Sequence, residues 1–122
     1  MALTGIQDQG VDAQGTSTDA TATMAATTNA ADVIMGVMTN CFGTDAITQN
    51  ATNLPNLVRE DEDNAVSQSI NVSYRIVTGT GTYTGNWAIA ASGPWLCVVV
   101  ALKEAGGAAA TRRYTLLLTG VG

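Results

Sequence analysis

Residues 69–77, Ser-Ile-Asn-Val-Ser-Tyr-Arg-Ile-Val, alternate polar and apolar side chains almost without a break. Ile70, Val72, Tyr74 and Ile76 fall on one side of an extended chain, and Asn71, Ser73 and Arg75 on the other. A period of two is the mark of a β-strand, because successive side chains leave opposite faces of the pleat. The apolar face, Tyr74 included, is expected to point into the core. Thr78-Gly79-Thr80-Gly81 ends the run, and residues 82–90 then repeat it, with Tyr83, Trp87 and Ile89 on one face and Thr82, Thr84 and Asn86 on the other. Ser92-Gly93-Pro94 reads as a turn. Residues 95–104, beginning Trp-Leu-Cys-Val-Val-Val, are apolar on both faces as far as Lys103-Glu104, which predicts a central strand covered on both sides.

Working toward the N-terminus, Leu54 to Arg59 predicts a short strand entered at Pro55, and the proline places it at a sheet edge. Residues 40–56 are polar, with Asn, Gly and Pro, and predict a long loop with a short helical turn near Asp45–Gln49. Asp32–Asn40 is a compact apolar run with a glycine at its centre, a pattern suited to a buried strand. Asn29 to Asp32 reads as a turn before it, and Ala20 to Thr28 alternates Thr with Ala or Met. Residues 1–19 are polar and broken by Gly5, Gly10 and Gly15, and predict an extended arm with a short strand near Leu3–Ile6, either disordered in isolation or ordered against a neighbouring subunit with Leu3 and Ile6 as its contacts. Beyond residue 103, 104–111 reads as a connector and 112–122 as a last strand. The expectation is an all-β chain: an arm at 1–19, then an antiparallel, jelly-roll-like β-sandwich at 20–122. It would have seven or eight short strands, with neighbouring hairpins in the second half.

Composition agrees with strands and turns. Of 122 residues, 46% are hydrophobic and only 12% charged, with 13 glycines. The length is that of one domain. A net charge of −5 with five basic residues is the wrong sign for phosphate neutralisation and for an anionic membrane, so neither nucleic acid nor membrane is expected as a partner. No basic segment leads into an apolar one at the start, which predicts a soluble protein made without an export signal. Cys41 and Cys97 are then expected as free thiols, and Cys97, inside an apolar run, as a small core side chain.

Catalysis is the poorest reading. The chain has no histidine, no Gly-rich phosphate loop and no Cys-x-x-Cys pair. No enzyme activity and no cofactor are expected. Glu60-Asp61-Glu62-Asp63 offers hard oxygen ligands that Ca²⁺ accepts, but the run lacks an ordered ligand spacing and reads first as a solvated hairpin tip. Its other use is an ion pair with Arg112 and Arg113 of a neighbouring copy. The two tryptophans divide. Parity puts Trp87 in the core with Tyr83, Ile89, Cys97 and Val99, a large plug in a wall of Ala and Val. Trp95 opens its strand after Pro94, where packing against the core or a subunit competes with stacking on a ligand.

Residues 80–105, together with 27–40 and 112–122, resemble β-sandwich virion structural proteins of tailed bacteriophages. The likeness lies in the Tyr83-x-x-x-Trp87 strand, the Gly93-x-Trp95 turn and the Val-rich strand ending at Lys103. That resemblance implies self-association, often as trimers, and a place on the virion surface after synthesis in the host cytoplasm. At this length it implies a compact capsid decoration (cement) protein bound to other virion proteins. The alternatives are a glycan- or receptor-binding module of a tail fibre or tail tip, with Trp95 at its site, or a head–tail or tail component.

Overall fold

The computed structural model describes the backbone of residues 7–41, 46–63 and 68–103, and their side chains except at 59–63. The described chain is all-β and antiparallel: β1 Gln7–Thr23, β2 Asp32–Asn40, β3 Ile47–Gln49, β4 Asn56–Asp63, β5 Gln68–Val77 and β6 Thr84–Lys103. They form one sheet in the order β1-β6-β2-β5-β4, with β3 paired to β6 as well.

Among the described residues there are six strands, two of them long, where seven or eight short ones were expected; the last of those, 112–122, and the connector 104–111 lie outside the described residues. The 20-residue β6 joins the two stretches that sequence patterning separated at Ser92-Gly93-Pro94. The break survives as a corner. Ser17 pairs with Gly93 and Asp19 with Ala88, so four residues of β6 stand opposite Thr18 alone. Surplus residues on one strand bend it. The bend is sharp: a Cβ on Gly85 would lie 2.5 Å from Val99 Cγ2, although the two residues are fourteen positions apart on one strand. Straight, they would be separated by about 45 Å at about 3.3 Å per residue. β6 therefore doubles back, and its first half, with β3 and the end of β1, covers one face of its second half.

The predicted arm is corrected by the same pairing. From Gln7 onward it is β1, hydrogen-bonded along its length to β6, and the expected boundary at 19/20 falls inside that strand. Its polar composition misled because β1 needs few large side chains. Val11 and Ala13 pack on the core while Asp12, Gln14 and Thr16 face out, and main-chain pairing with a central strand supplies the rest. The helical turn predicted near Asp45–Gln49 is replaced over Ile47–Gln49 by β3, with Ile47 fully buried. β5 and β6, expected as a hairpin, are separated by β2.

β4 lies at the sheet edge as Pro55 indicated, but it starts at Asn56 and extends through the acidic run. Leu57 and Arg59 pair with the consecutive residues Ser73 and Val72, which leaves Val58 as a bulge. A bulge on an edge strand discourages pairing with a further chain.

The inner face holds the core: Ile34 and Met38 from β2, Cys97, Val99 and Ala101 from β6, and above them Trp87, Ile89, Ile47, Leu54, Met24, Ala20 and Ala22. Here the opening stretch is inverted. Ser69, Asn71 and Ser73 are the buried side of β5, and Ile70 and Ile76 are exposed. The cause is Trp87. Its indole N–H enters the interior and must find an acceptor. Asn71 Oδ1 accepts it at 3.1 Å, while Asn71 Nδ2 donates to the Ile47 carbonyl at 3.1 Å and to Gln49 Oε1 at 3.3 Å.

Candidate functional site

With β5 turned over, its apolar side joins those of its neighbours on the outer face of the sheet. Across β2, Val33, Met35, Val37 and Thr39 sit beside Ile76, Tyr74, Val72 and Ile70 of β5. On the other side the same four face Leu102, Val100, Val98 and Leu96 of β6. These twelve positions, in three adjacent strands, include one polar residue and no charge. Ile76 is 67% exposed, Leu96 40%, Val98 38% and Ile70 37%, and the remaining positions are half-buried. β6 is thus central, and among the described residues it is covered on one face where both were expected. Tyr74, expected in the core, lies on this outer surface for the same reason.

At the Asp32–Lys103 end the surface sinks into an open hollow of about 510 Å³, lined chiefly by Val33, Met35, Ile76, Val77 and Leu102. A carboxylate braces that end of the sheet. Asp8, its side chain 2% exposed, accepts the backbone N–H groups of Thr28 (2.6 Å) and Asn29 (3.1 Å) and the Thr28 hydroxyl, and lies 4.0 Å from Lys103 Nζ. The Thr28 hydroxyl, the two backbone N–H groups and Lys103 hold the Asp8 carboxyl below its ordinary value against the opposing effect of burial. Asn29 Nδ2 in turn donates to Asp32 Oδ1 at 2.7 Å, while Asp32 Oδ2 is buried without a hydrogen-bond partner among the described residues.

Trp95 is no free platform. Its ring lies over Gly15, where a Cβ would come within 2.7 Å of it, and its Nε1 donates to Ser17 Oγ at 2.9 Å. It is half-buried and packs on the core. Trp87, Ile89, Cys97 and Val99 are buried, and Tyr83 is half-buried against the same cluster. Both cysteines are free thiols, and burial pushes the Cys97 thiol up. Glu60 to Asp63 form the end of an extended edge strand rather than a hairpin tip. The side chains of these four lie outside the described ones. Among the described residues no three acidic, Cys or His side chains gather as a metal site. Leu3, Ile6, Arg112 and Arg113 lie outside the described residues.

Sequence reasoning missed the outer face and Asp8. The signal for the first was present: Asp32–Asn40 and 95–104 are apolar on both sides, and two such strands side by side must show apolar surface on each face of a single sheet. Asp8 gave none, since its partners are twenty or more residues away. No protein-family model, curated protein or solved structure matches the chain.

Proposed function

We propose that this chain is a non-enzymatic structural protein that works by packing against other proteins, and that it serves as a capsid decoration protein on the head of a tailed bacteriophage. The observation that carries the first half is the outer face: an uncharged, apolar surface three strands wide, far better matched to another protein than to a solute. The virion assignment comes from the sequence resemblance. The jelly-roll-like sandwich it implies belongs to the same proposal, as do homo-oligomerisation and the virion-surface location. Sparse charge, 12% of residues, suits a molecule held among neighbours.

Electron microscopy of purified particles, with the protein identified in them by mass spectrometry, tests this. The expected result is density for the bent sheet on the outside of the head at regular lattice positions. Density confined to the tail would replace decoration by the tail or head–tail role. Absence of the protein from purified particles would overturn the virion reading. The glycan-binding alternative loses its main support, because the Trp95 ring is committed to Gly15 and Ser17.

A further inference from the structure

We propose that the outer face of β2, β5 and β6 is a twofold homodimer interface, so that its occupant is the same face of a second copy. This rests on the reading that the protein works by protein packing, and it names the neighbour. It does not depend on the virion.

Width decides the kind of occupant. The face spans three strands, about 14 Å from first to last with the side chains at its margins, and four outward residues along each. A single added strand covers a strip about 5 Å wide and leaves its own N–H and C=O groups unpaired against side chains. That argues against the chain's own residues 112–122 as the cover. A sheet is covered by a sheet, packed about 10 Å away with the strand directions within about 30°. The second copy brings a sheet of the same width.

Charge and area agree. None of the twelve positions is ionisable except the Tyr74 phenol, so turning the face upon itself brings no like charges together even though the chain carries −5. Three strands at about 4.8 Å and eight residues at about 3.3 Å give a footprint of about 380 Å² per copy. Side-chain relief raises the total over both copies toward the roughly 1,000 Å² at which a specific, reversible interface begins. The hollow at the Asp32–Lys103 end, about 510 Å³, supplies the concavity in which an anchor side chain from the partner sits. Ile76, the most exposed large apolar side chain among the described residues, lines it and is the natural anchor.

Val37 is in the middle strand, flanked by Val72 and Val98. A twofold axis through the centre of the face brings Val37 against its own equivalent. The test is sedimentation of the full-length protein across a concentration series, with Val37→Lys, Val37→Glu and an equimolar mixture of the two. The wild type is expected to be a dimer at tens of micromolar. Each variant should be a monomer with unchanged far-UV circular dichroism, weakened at least about tenfold by like charges across the axis. The mixture should dimerise again. If a position-37 variant unfolds, Ile76→Glu, at the exposed rim, takes its place and should weaken the dimer without loss of structure. A monomeric wild type would overturn the proposal, and if it also failed to bind a hydrophobic dye, the cover would be residues 112–122 of the same chain. A trimer, or a dimer indifferent to charges at both 37 and 76, would overturn it too, and would place self-association elsewhere on the molecule.

Discussion

Asn71 and Ser73 sit two residues apart on β5, both fully buried, and they do opposite things. The Asn71 amide closes a chain from the Trp87 indole to the Ile47 carbonyl. Replacing it with alanine strands a donor and an acceptor in the interior, at about 1–3 kcal/mol each. Asn71→Ala is therefore expected to lower the unfolding free energy by about 2–4 kcal/mol in a urea titration. The Ser73 hydroxyl has no partner among the described residues. Ser73→Ala removes a buried polar atom that gains nothing from its position, and should be neutral or stabilising by up to about 1 kcal/mol. If the two variants behaved alike, the hydrogen-bond account of the inverted face would fail.

Between elements, two contacts set how the sheet closes on itself. The first is the approach of Trp87 to β2. A Cβ at Gly36 would stand 2.6 Å from the indole and 2.5 Å from Leu54 Cδ1, closer than atoms pack. Only glycine lets the ring lie on the strand, which explains a residue that otherwise weakens a central strand. Gly36→Ala should cost about 1–3 kcal/mol through overpacking, read as a lowered melting temperature, with a shifted tryptophan emission. The second is Asp8, which ties the β1–β2 connection to the start of β1. Its carboxyl titrates below the ordinary value of about 3.9, so its stabilising effect is complete above that pH. It is lost as pH falls from there through the folded-state value. Melting temperature should drop across that acid window in the wild type. Asp8→Asn should be less stable at neutral pH and show a shallower decline, and hydrogen exchange should place the loss at residues 24–31.

The whole molecule is held by distant pairings. β1 and β6 meet through residues 61 apart at their nearest, Thr23 and Thr84, whose hydroxyls are 2.8 Å apart. Loops of that length must close before any contact rewards them, so refolding is expected in the millisecond-to-second range by stopped-flow tryptophan fluorescence, slower than for a helical chain of this size. Cys97 is 1% exposed at the centre of the sheet, while Cys41 is half-buried just past the end of β2. A thiol reagent should accordingly label Cys41 in the native protein and Cys97 only on unfolding. Equal labelling of both would mean that β6 opens locally. The melting temperature should not change with reductant, since no disulfide is there to break.

Strand character was legible from the chain alone, because a period of two and the spacing of Gly, Asn and Pro are local properties. So were the turn at Asn29–Asp32, the edge position after Pro55 and the burial of Trp87. Which face points inward was legible for residues 82–90 but not for the other strands. Asp32–Asn40 and 95–104 are apolar on both sides and accept either orientation. Residues 82–90 keep the face their pattern indicates, but residues 69–77 are turned over, with Asn71 inside accepting the hydrogen bond of the Trp87 indole sixteen residues away and Ile70 and Ile76 outside. The corner in β6 and the place of residues 7–19 in the sheet were decided in the same way, by a pairing register between segments far apart in sequence. Local sequence specifies that a segment is extended. Only the tertiary structure specifies what it lies against, and so it was the fold that created the apolar outer face.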